Sequence, residues 1–300
     1  MNRRRFLVTG AAALAVAGLA ARETVTRWRG TALGAPAAIS LRGPEDLARP
    51  ALAAARAEIA RIEALFSLHR ADSALVRLNL DGALDGPEAA QVASLLSLAR
   101  RVHDAAAGGF DPTVQPWLSA LARDGGGDKA RGLVGLEDVR AGRDHVAFAR
   151  PGMALTFNGV AQGLAADRVA GALRDHGFPD ALVDAGEVRA GVGRWRVGVE
   201  DPVRGLLETR RIERLGLAVS SPGALRIGRG GAAHILHPDG RPALWSTVAV
   251  EARSAALADA VSTAAVFLDE DGLRALPARL PGLRRILAAP AEGPVLRVKA

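Results

Sequence analysis

Asp259 and Thr263 are the two residues whose types and spacing most clearly suit chemistry. They lie in residues 254–268, a stretch rich in Ala and Leu without Gly or Pro, which predicts a helix that is apolar on most sides. A spacing of four places the carboxylate and the hydroxyl one turn apart on the same face. Two such oxygen ligands suit a hard cation such as Mg²⁺, which keeps other positions for water and phosphate oxygens. The alternative is a helix start with a solvated Asp and a Thr bonded back to its own backbone.

We expect Asp259 to stand on the surface of this helix, so that its removal costs chemistry and not packing. His234 is the second candidate, because a histidine near its neutral pKa suits a general base. The alternative for His234 is a core-facing histidine on a strand.

The elements that must position these residues are predicted as helices and short strands. Helices are expected over residues 44–67, over 87–107 and from Gly163 to about Asp175. A further short helix is expected to begin at a cap formed by Asp72-Ser73 and to end near Asn79. Strands are expected within residues 24–41 and at 146–148, 153–155, 181–183, 195–199, 217–220, 224–227, 232–236 and 246–250. Residues 124–128 read as an exposed Gly-rich loop. Antiparallel strands with helices laid over them predict the α+β class, mainly antiparallel sheets covered by helices.

Composition excludes several classes of protein. The 300 residues are 49% hydrophobic, which is enough for a large core, and we expect a single domain over residues 22–300. There is no Cys, so disulfides, thiolate metal sites and thiol nucleophiles are excluded. The net charge of +7 comes from scattered Arg residues, with 4% aromatics and no Tyr. This pattern indicates a solvated basic surface that favours anionic ligands, and no nucleic-acid partner.

The N-terminus has the pattern of an export signal. Basic residues at Arg3 to Arg5 precede Phe6 and a short, mild apolar run that ends in small residues near Ala21. Residues 1–21 therefore predict a signal peptide of the twin-arginine type and a periplasmic protein. The run is short for a membrane span, although an uncleaved anchor is the alternative.

Five motifs in register resemble one known family. They are Phe66 to Asn79, Phe110-Asp-Pro-Thr113, Asn158 to Asp167, His234 to Pro242, and Ala258 to Thr263. Their order and spacing, over about residues 25–290, resemble the ApbE family, the FAD:protein FMN transferases. The resemblance implies an enzyme that requires Mg²⁺, takes FAD as substrate and transfers FMN to a Thr or Ser hydroxyl of an exported or membrane flavoprotein, releasing AMP.

The resemblance also implies a set of site residues. His234 matches the base that takes the proton of the attacking hydroxyl. His237 matches a residue of the turn that follows. The metal ligands are implied to be the carbonyl of Gly159 and the side chains of Asp259 and Thr263. The residues implied to bind the flavin dinucleotide are His69, Gly109, Phe110, Asp111, Thr156, Gln162 and Ile235. The amides of the helix expected to start at Gly163 are well placed to face phosphate.

Several positions depart from the usual family pattern. His69 stands where a stacking Tyr is usual, Thr156 where Asp is usual, and Gln162 where Lys or Glu is common. Together with the run Ala185-Gly-Glu187, these changes resemble the NosX-like branch associated with nitrous oxide respiration. In that branch the acceptor is implied to be a membrane-bound flavoprotein.

Two other functions fit the same residues. One is an exported FAD-binding maturation factor without transfer activity, and the other is a Mg²⁺-dependent FAD hydrolase that gives FMN and AMP. Retention of Asp259, Thr263 and His234 favours an enzyme over a carrier, because a carrier needs neither a metal nor a base.

Overall fold

The computed structural model describes residues 25–123 and 127–300. The expected signal peptide at residues 1–21 lies outside these ranges, as do residues 124–126 of the expected Gly-rich loop. Within the described ranges, no helix combines the length and the apolar character needed to cross a membrane.

The helices and strands alternate irregularly along the chain. The strands are β1 (Val25–Ala32), β2 (Ala35–Arg42), β3 (Ala83–Asp85), β4 (Val139–Ala141), β5 (His145–Phe148), β6 (Ala181–Asp184), β7 (Val188–Ala190), β8 (Trp195–Asp201), β9 (Gly205–Ile212), β10 (Gly216–Ser220), β11 (Arg226–Ile227), β12 (Ala232–Ala233), β13 (Thr247–Ala252), β14 (Leu283–Ala289) and β15 (Leu296–Lys299). The helices are α1 (Glu45–Phe66), α2 (Ala74–Asp81), α3 (Pro87–Ala105), α4 (Gln115–Ala122), α5 (Gly127–Arg131), α6 (Ala161–Asp175), α7 (Ala255–Ala265) and α8 (Glu270–Arg279).

An eight-stranded sheet organises the fold. Its order is β1-β2-β6-β7-β10-β13-β14-β15, and every neighbouring pair is antiparallel. Shorter two- and three-stranded sheets are formed by β8-β9, β11-β12 and β3-β5-β4. The predicted α+β class with mainly antiparallel sheets is therefore confirmed.

The two faces of the main sheet are covered differently because side chains alternate along a strand. Ala218 and Ile286 point into the larger core, where α1, α6 and α7 pack on the sheet and on one another. Their neighbours Leu217 and Leu287 point to the opposite face, into a smaller core completed by Trp195 and other residues of the β8–β9 hairpin.

Local signals fix several helix ends. Ser73 caps α2, because its hydroxyl accepts a hydrogen bond from the amide of Val76 at 3.1 Å. Gly177 follows α6 with a φ of +86°, a conformation that glycine adopts without strain. The start of α2 and the end of α6 therefore lie where the sequence predicted them.

The strand predicted at residues 153–155 is wrong. Leu155 is buried, but its backbone pairs with the side chain of Asn79 and not with another strand. Asn79 Nδ2 donates to the Leu155 carbonyl at 2.9 Å, and the Leu155 amide donates to Asn79 Oδ1 at 2.7 Å. The amide side chain thus satisfies the groups that a strand partner would have satisfied.

Candidate functional site

The helix that carries Asp259 and Thr263, α7, is buried and not at the surface. Ser254 caps it through a 3.2 Å hydrogen bond from the amide of Leu257. The carboxylate of Asp167, on α6, accepts hydrogen bonds from the first two amides of α7, those of Ala255 at 2.9 Å and Ala256 at 3.0 Å. This second cap comes from a distant segment and fixes α7 against α6.

Asp259 itself is buried, at 3% exposure, which differs from the surface position expected from sequence. Its Oδ2 accepts a hydrogen bond from the amide of Gly163 at 3.0 Å. Burial raises the pKa of Asp259 to about 8, the Gly163 bond opposes this shift, and the charge of Asp167 adds to it. The helix α6 begins at Ala161, so Gly163 lies in its first turn and donates its amide to Asp259.

Thr263 lies against Gly159, one of its expected partners. A Cβ added at Gly159 would stand 2.8 Å from Thr263 Oγ1 and 3.1 Å from the ring of Phe110. Only a glycine leaves room for this approach. The structure therefore brings together residues of three motifs that are far apart in sequence.

The segment around Phe110 is fixed on the same helix. A Cβ at Gly109 would stand 2.9 Å from the carbonyl oxygen of Ala264, so this glycine allows the loop to contact α7. Asp111 Oδ1 accepts hydrogen bonds from the amide and the hydroxyl of Thr113, at 2.8 and 2.6 Å. Phe110 and Asp111 are both buried.

Thr156 and Gln162 flank the Gly159 turn. The hydroxyl of Thr156 accepts a hydrogen bond from the amide of Asn158 at 3.2 Å, and the Thr156 amide donates to the Pro112 carbonyl at 2.8 Å. Gln162 lies over Gly186, where an added Cβ would be 2.4 Å from Gln162 Nε2. Both residues therefore adjoin the loops that surround Gly159.

His234 is half-buried just after β12, and Ile235 beside it packs on the main core. Nδ1 of His234 lies 3.2 Å from the carbonyl oxygen of Leu225. Since a carbonyl only accepts, Nδ1 carries the proton in the neutral ring and Nε2 holds the lone pair. Burial lowers the pKa of His234 below its ordinary value, and hydrogen bonds to the backbone of Leu225 and Pro222 oppose this shift. The neutral ring can therefore accept a proton at Nε2.

His69 follows α1 and is exposed beside the β1–β2 turn. Its ring lies next to Gly34, where an added Cβ would be 3.3 Å from His69 Cδ2. The exposed ring is open to a ligand. His237 lies in a turn, as expected. Its backbone carbonyl accepts a hydrogen bond from the amide of Gly240 at 2.8 Å.

Glu187 is a site residue that the sequence did not single out for chemistry. It is 9% exposed, and its Oε2 accepts a hydrogen bond from the amide of Val219 at 3.1 Å. Burial, followed by the charge of Asp259, holds the pKa of Glu187 well above its ordinary value. The only sequence signal was the acidic residue after Ala185-Gly186 where the family usually has Gly-Gly-Asp.

A cleft of about 580 Å³ opens beside this cluster. Asp111 lines it, as do His103, Arg131, His237 and Arg241. The cleft is not lined by Asp259, Thr263 or His234. It is therefore a space that could bind a ligand, separate from the candidate cation ligands. Its wall carries two guanidinium groups and four carboxylates, and Arg241 is paired with Asp239, so the charge of the lining does not select an anionic ligand.

The residues near Asp259 fit a hard cation in a particular way. Among the described residues, no three His, Asp or Glu side chains converge in an arrangement that could hold a metal. A cation here would instead rely on one carboxylate, the Thr263 hydroxyl and the Gly159 carbonyl, with water or a ligand completing the shell. The neighbouring acids Asp259 and Glu187 destabilise each other's charged forms, and a divalent cation would relieve that cost.

Comparison with known proteins identifies the family of this chain. The model of the ApbE family matches residues 31–287. The flavinyl transferase ApbE of Pseudomonas stutzeri, in its apo form, is 24% identical over 92% of this chain and 94% of that chain, with a TM-score of 0.76. The flavin transferase ApbE of Vibrio cholerae is 21% identical over 92% and 97%, with a TM-score of 0.77. The ApbE protein of Thermotoga maritima is 24% identical over 92% and 97%, with a TM-score of 0.79. A search of the curated proteins finds no match. Because the family model covers most of the sequence, the chain belongs to the ApbE family.

Proposed function

We propose that this protein is a Mg²⁺-dependent flavin transferase that moves FMN from FAD to a Thr or Ser hydroxyl of an acceptor protein and releases AMP. The observation that carries the proposal is the meeting of Gly159, Thr263 and Phe110 beside the buried carboxylate of Asp259. Two of the solved structures named above, those from Pseudomonas stutzeri and Vibrio cholerae, are flavin transferases, which supports the same activity.

Asp259, Thr263 and the Gly159 carbonyl are the residues that would hold Mg²⁺. When bound, the cation would neutralise charge on the pyrophosphate of FAD and favour its cleavage. Gly109 and Phe110 would fix the dinucleotide by backbone and ring contacts, and the exposed ring of His69 would stack on an aromatic ring of the substrate.

His234 would act on the acceptor. Nε2 accepts the proton of the attacking hydroxyl, whose oxygen then forms a bond to the FMN phosphorus. The bond between that phosphorus and the bridging oxygen breaks, and AMP leaves with that oxygen. The Leu225 carbonyl holds the ring in the tautomer that this step needs.

The experiment that tests the proposal weighs an acceptor. The protein is incubated with FAD, Mg²⁺ and a Thr-containing acceptor peptide, and the peptide is analysed by mass spectrometry. A mass gain equal to FMN supports the transferase. Free FMN with AMP identifies the hydrolase, and intact FAD identifies the carrier. The matched controls are Asp259→Asn and chelation of Mg²⁺.

The place of action and the natural acceptor are further parts of the proposal. The twin-arginine pattern of residues 1–21 supports export to the periplasm. The NosX-like departures favour a membrane-bound flavoprotein of nitrous oxide respiration as acceptor. Co-expression of such a protein with and without this chain, followed by in-gel flavin fluorescence, tests that assignment. An acceptor that remains non-fluorescent in both cases contradicts it.

A further inference from the structure

Three hydroxyl groups, two of them buried, form a line that ends at Thr263, one of the candidate cation ligands. Ser220, at the end of β10, places its Oγ 2.8 Å from Ser262 Oγ and 3.5 Å from Thr263 Oγ1. Ser262 Oγ lies 3.0 Å from the carbonyl oxygen of Asp259. Ser220 is 7% exposed and Ser262 is fully buried, so solvent offers little competition for these bonds.

The direction of this line follows from counting protons. A hydroxyl donates one hydrogen bond, and a carbonyl oxygen only accepts. Ser262 must donate to the Asp259 carbonyl, which commits its only proton. Ser220 must then donate to Ser262. Within this line, Thr263 is left as the donor to Ser220.

The consequence concerns the lone pairs of Thr263. A hydroxyl binds a cation through a lone pair, with its proton directed elsewhere. When the Thr263 proton is directed at Ser220, the lone pairs of Thr263 Oγ1 can face Gly159, which lies against this oxygen. We propose that Ser220 is a positioning residue, which holds the Thr263 hydroxyl in the orientation that a cation ligand needs.

This inference rests on the proposed function, because it assumes a cation at Thr263. Ser220 does not contact the cation in this proposal and acts only through Thr263. Its effect must therefore disappear when the Thr263 hydroxyl is absent. A serine that merely supports packing between β10 and α7 would show no such dependence.

The test is a titration of the metal-free full chain with Mn²⁺, followed by the electron paramagnetic resonance signal of free Mn²⁺, without FAD and with FAD. Ser220→Ala and Thr263→Val are each expected to weaken Mn²⁺ binding by about 3- to 10-fold. The double variant should bind no more weakly than Thr263→Val alone. Ser220→Thr keeps the hydroxyl and should restore wild-type affinity.

Two further variants complete the design. Ser221→Ala is the matched control, because that hydroxyl bonds to Thr247 Oγ1 at 2.7 Å and lies outside the line. It should bind Mn²⁺ as the wild type does. Ser262→Ala interrupts the line one step further away and should also weaken binding, which tests the idea even if Ser220→Ala does not fold.

Additive losses in the double variant would overturn the inference while leaving the cation site in place. Wild-type affinity in both Ser220→Ala and Ser262→Ala would overturn it in the same way. If the wild type binds no Mn²⁺ with or without FAD, the cation site of the proposed function fails and the role of Ser220 fails with it.

Discussion

Burial of His234 sets the pH range in which the proposed base can work. Its pKa lies below the ordinary value of 6.5, so the ring is neutral at pH 7 and becomes protonated only at lower pH. We predict that kcat/KM for transfer, which reports the pKa of the free enzyme, falls on the acid side with a midpoint below pH 6.5. His234→Ala should lower kcat by roughly 10²- to 10⁴-fold and remove that limb, with FAD binding nearly unchanged. Loss of FAD binding with unchanged turnover at saturation would contradict this role.

His69 should behave differently, because in the proposed function its ring contacts the flavin dinucleotide both before and during the reaction. His69→Ala is expected to raise the FAD concentration required for half-maximal rate with little change in kcat. His69→Tyr should bind FAD as well as the wild type or better, since a larger ring offers more stacking area. FAD titrations and transfer rates on both variants check this. A fall in kcat with unchanged FAD binding would place His69 in the chemical step.

The buried carboxylate of Asp259 makes the stability of the metal-free protein depend on pH. Its pKa rises from 3.8 to about 8 in the folded state, so folding binds a proton more tightly. The stabilisation from this group is complete below pH 3.8 and is lost as the pH rises towards 8. In chelator, the wild type should therefore lose stability between pH 5 and pH 8 more steeply than Asp259→Asn, which should also lack transfer. Parallel unfolding curves against pH for the two proteins would refute this.

At the residue scale, some features of the candidate site could be predicted from the sequence and others could not. The proximity of Gly159 and Thr263 was implied by the resemblance to the ApbE family, whereas the contact of Phe110 with Gly159 was not predicted. The burial of Asp259 and its neighbour Glu187 was not visible, because it depends on which helix face packs on α6 and β10. Whether these residues bind a metal and FAD stays a prediction.

At the scale of elements, the start of α7 is wedged between two glycines. A Cβ at Gly163 would stand 2.3 Å from the Ala255 carbonyl oxygen, and one at Gly216 would stand 2.4 Å from the Ala255 Cα. These contacts are with backbone, which cannot rotate away. The glycines therefore set how closely α6 and β10 approach the helix that bears the candidate cation ligands.

We predict that Gly163→Ala destabilises the protein by about 1–3 kcal/mol, through overpacking against α7. Gly171→Ala is the matched control on the same helix, because its added Cβ would meet nothing closer than 4.0 Å. That change should be stabilising by about 0.5–1 kcal/mol, since glycine is a poor helix former. Denaturant unfolding of both variants measures the two effects. Equal stability of the two would show that α6 can shift to make room.

Two helix ends were predicted correctly, and for a local reason. The caps at Ser73 and Gly177 are encoded within one turn of the helices that they end. The strand expected at residues 153–155 failed because the backbone of Leu155 is satisfied by Asn79 from a distant helix. Several elements were not predicted, namely α4, α5 and α8 and the strands β3, β4, β7, β9, β14 and β15. These strands depend on pairing across a sheet, and residues 127–128 of the expected loop begin α5.

For the whole molecule, the order of the main sheet could not be derived from the sequence. Ala38 of β2 stands opposite Asp184 of β6, with α1 to α6 and the small sheet β3-β5-β4 between them in the chain. Antiparallel pairing carries no local signal over such separations. The class of the fold was predictable from the alternation of patterns, whereas the neighbours of each strand were not.

Export is the prediction that concerns the whole chain. Replacing Arg3 and Arg4 with Lys should leave a folded precursor in the cytoplasm, because a twin-arginine route reads that pair. Cell fractionation with an antibody against the protein measures the distribution. Efficient delivery of the doubly changed protein to the periplasm would favour the general secretory route.

The position of α7 in the chain also affects how the protein is made. Phe110 and Gly159 leave the ribosome long before Thr263, and the sheet strand β2 must wait for β6. Pairings over such long sequence separations form slowly, because the intervening loop must first be closed. Until α7 has left the ribosome, the faces of α6 and β10 on which it packs therefore remain uncovered, and a chaperone can bind there.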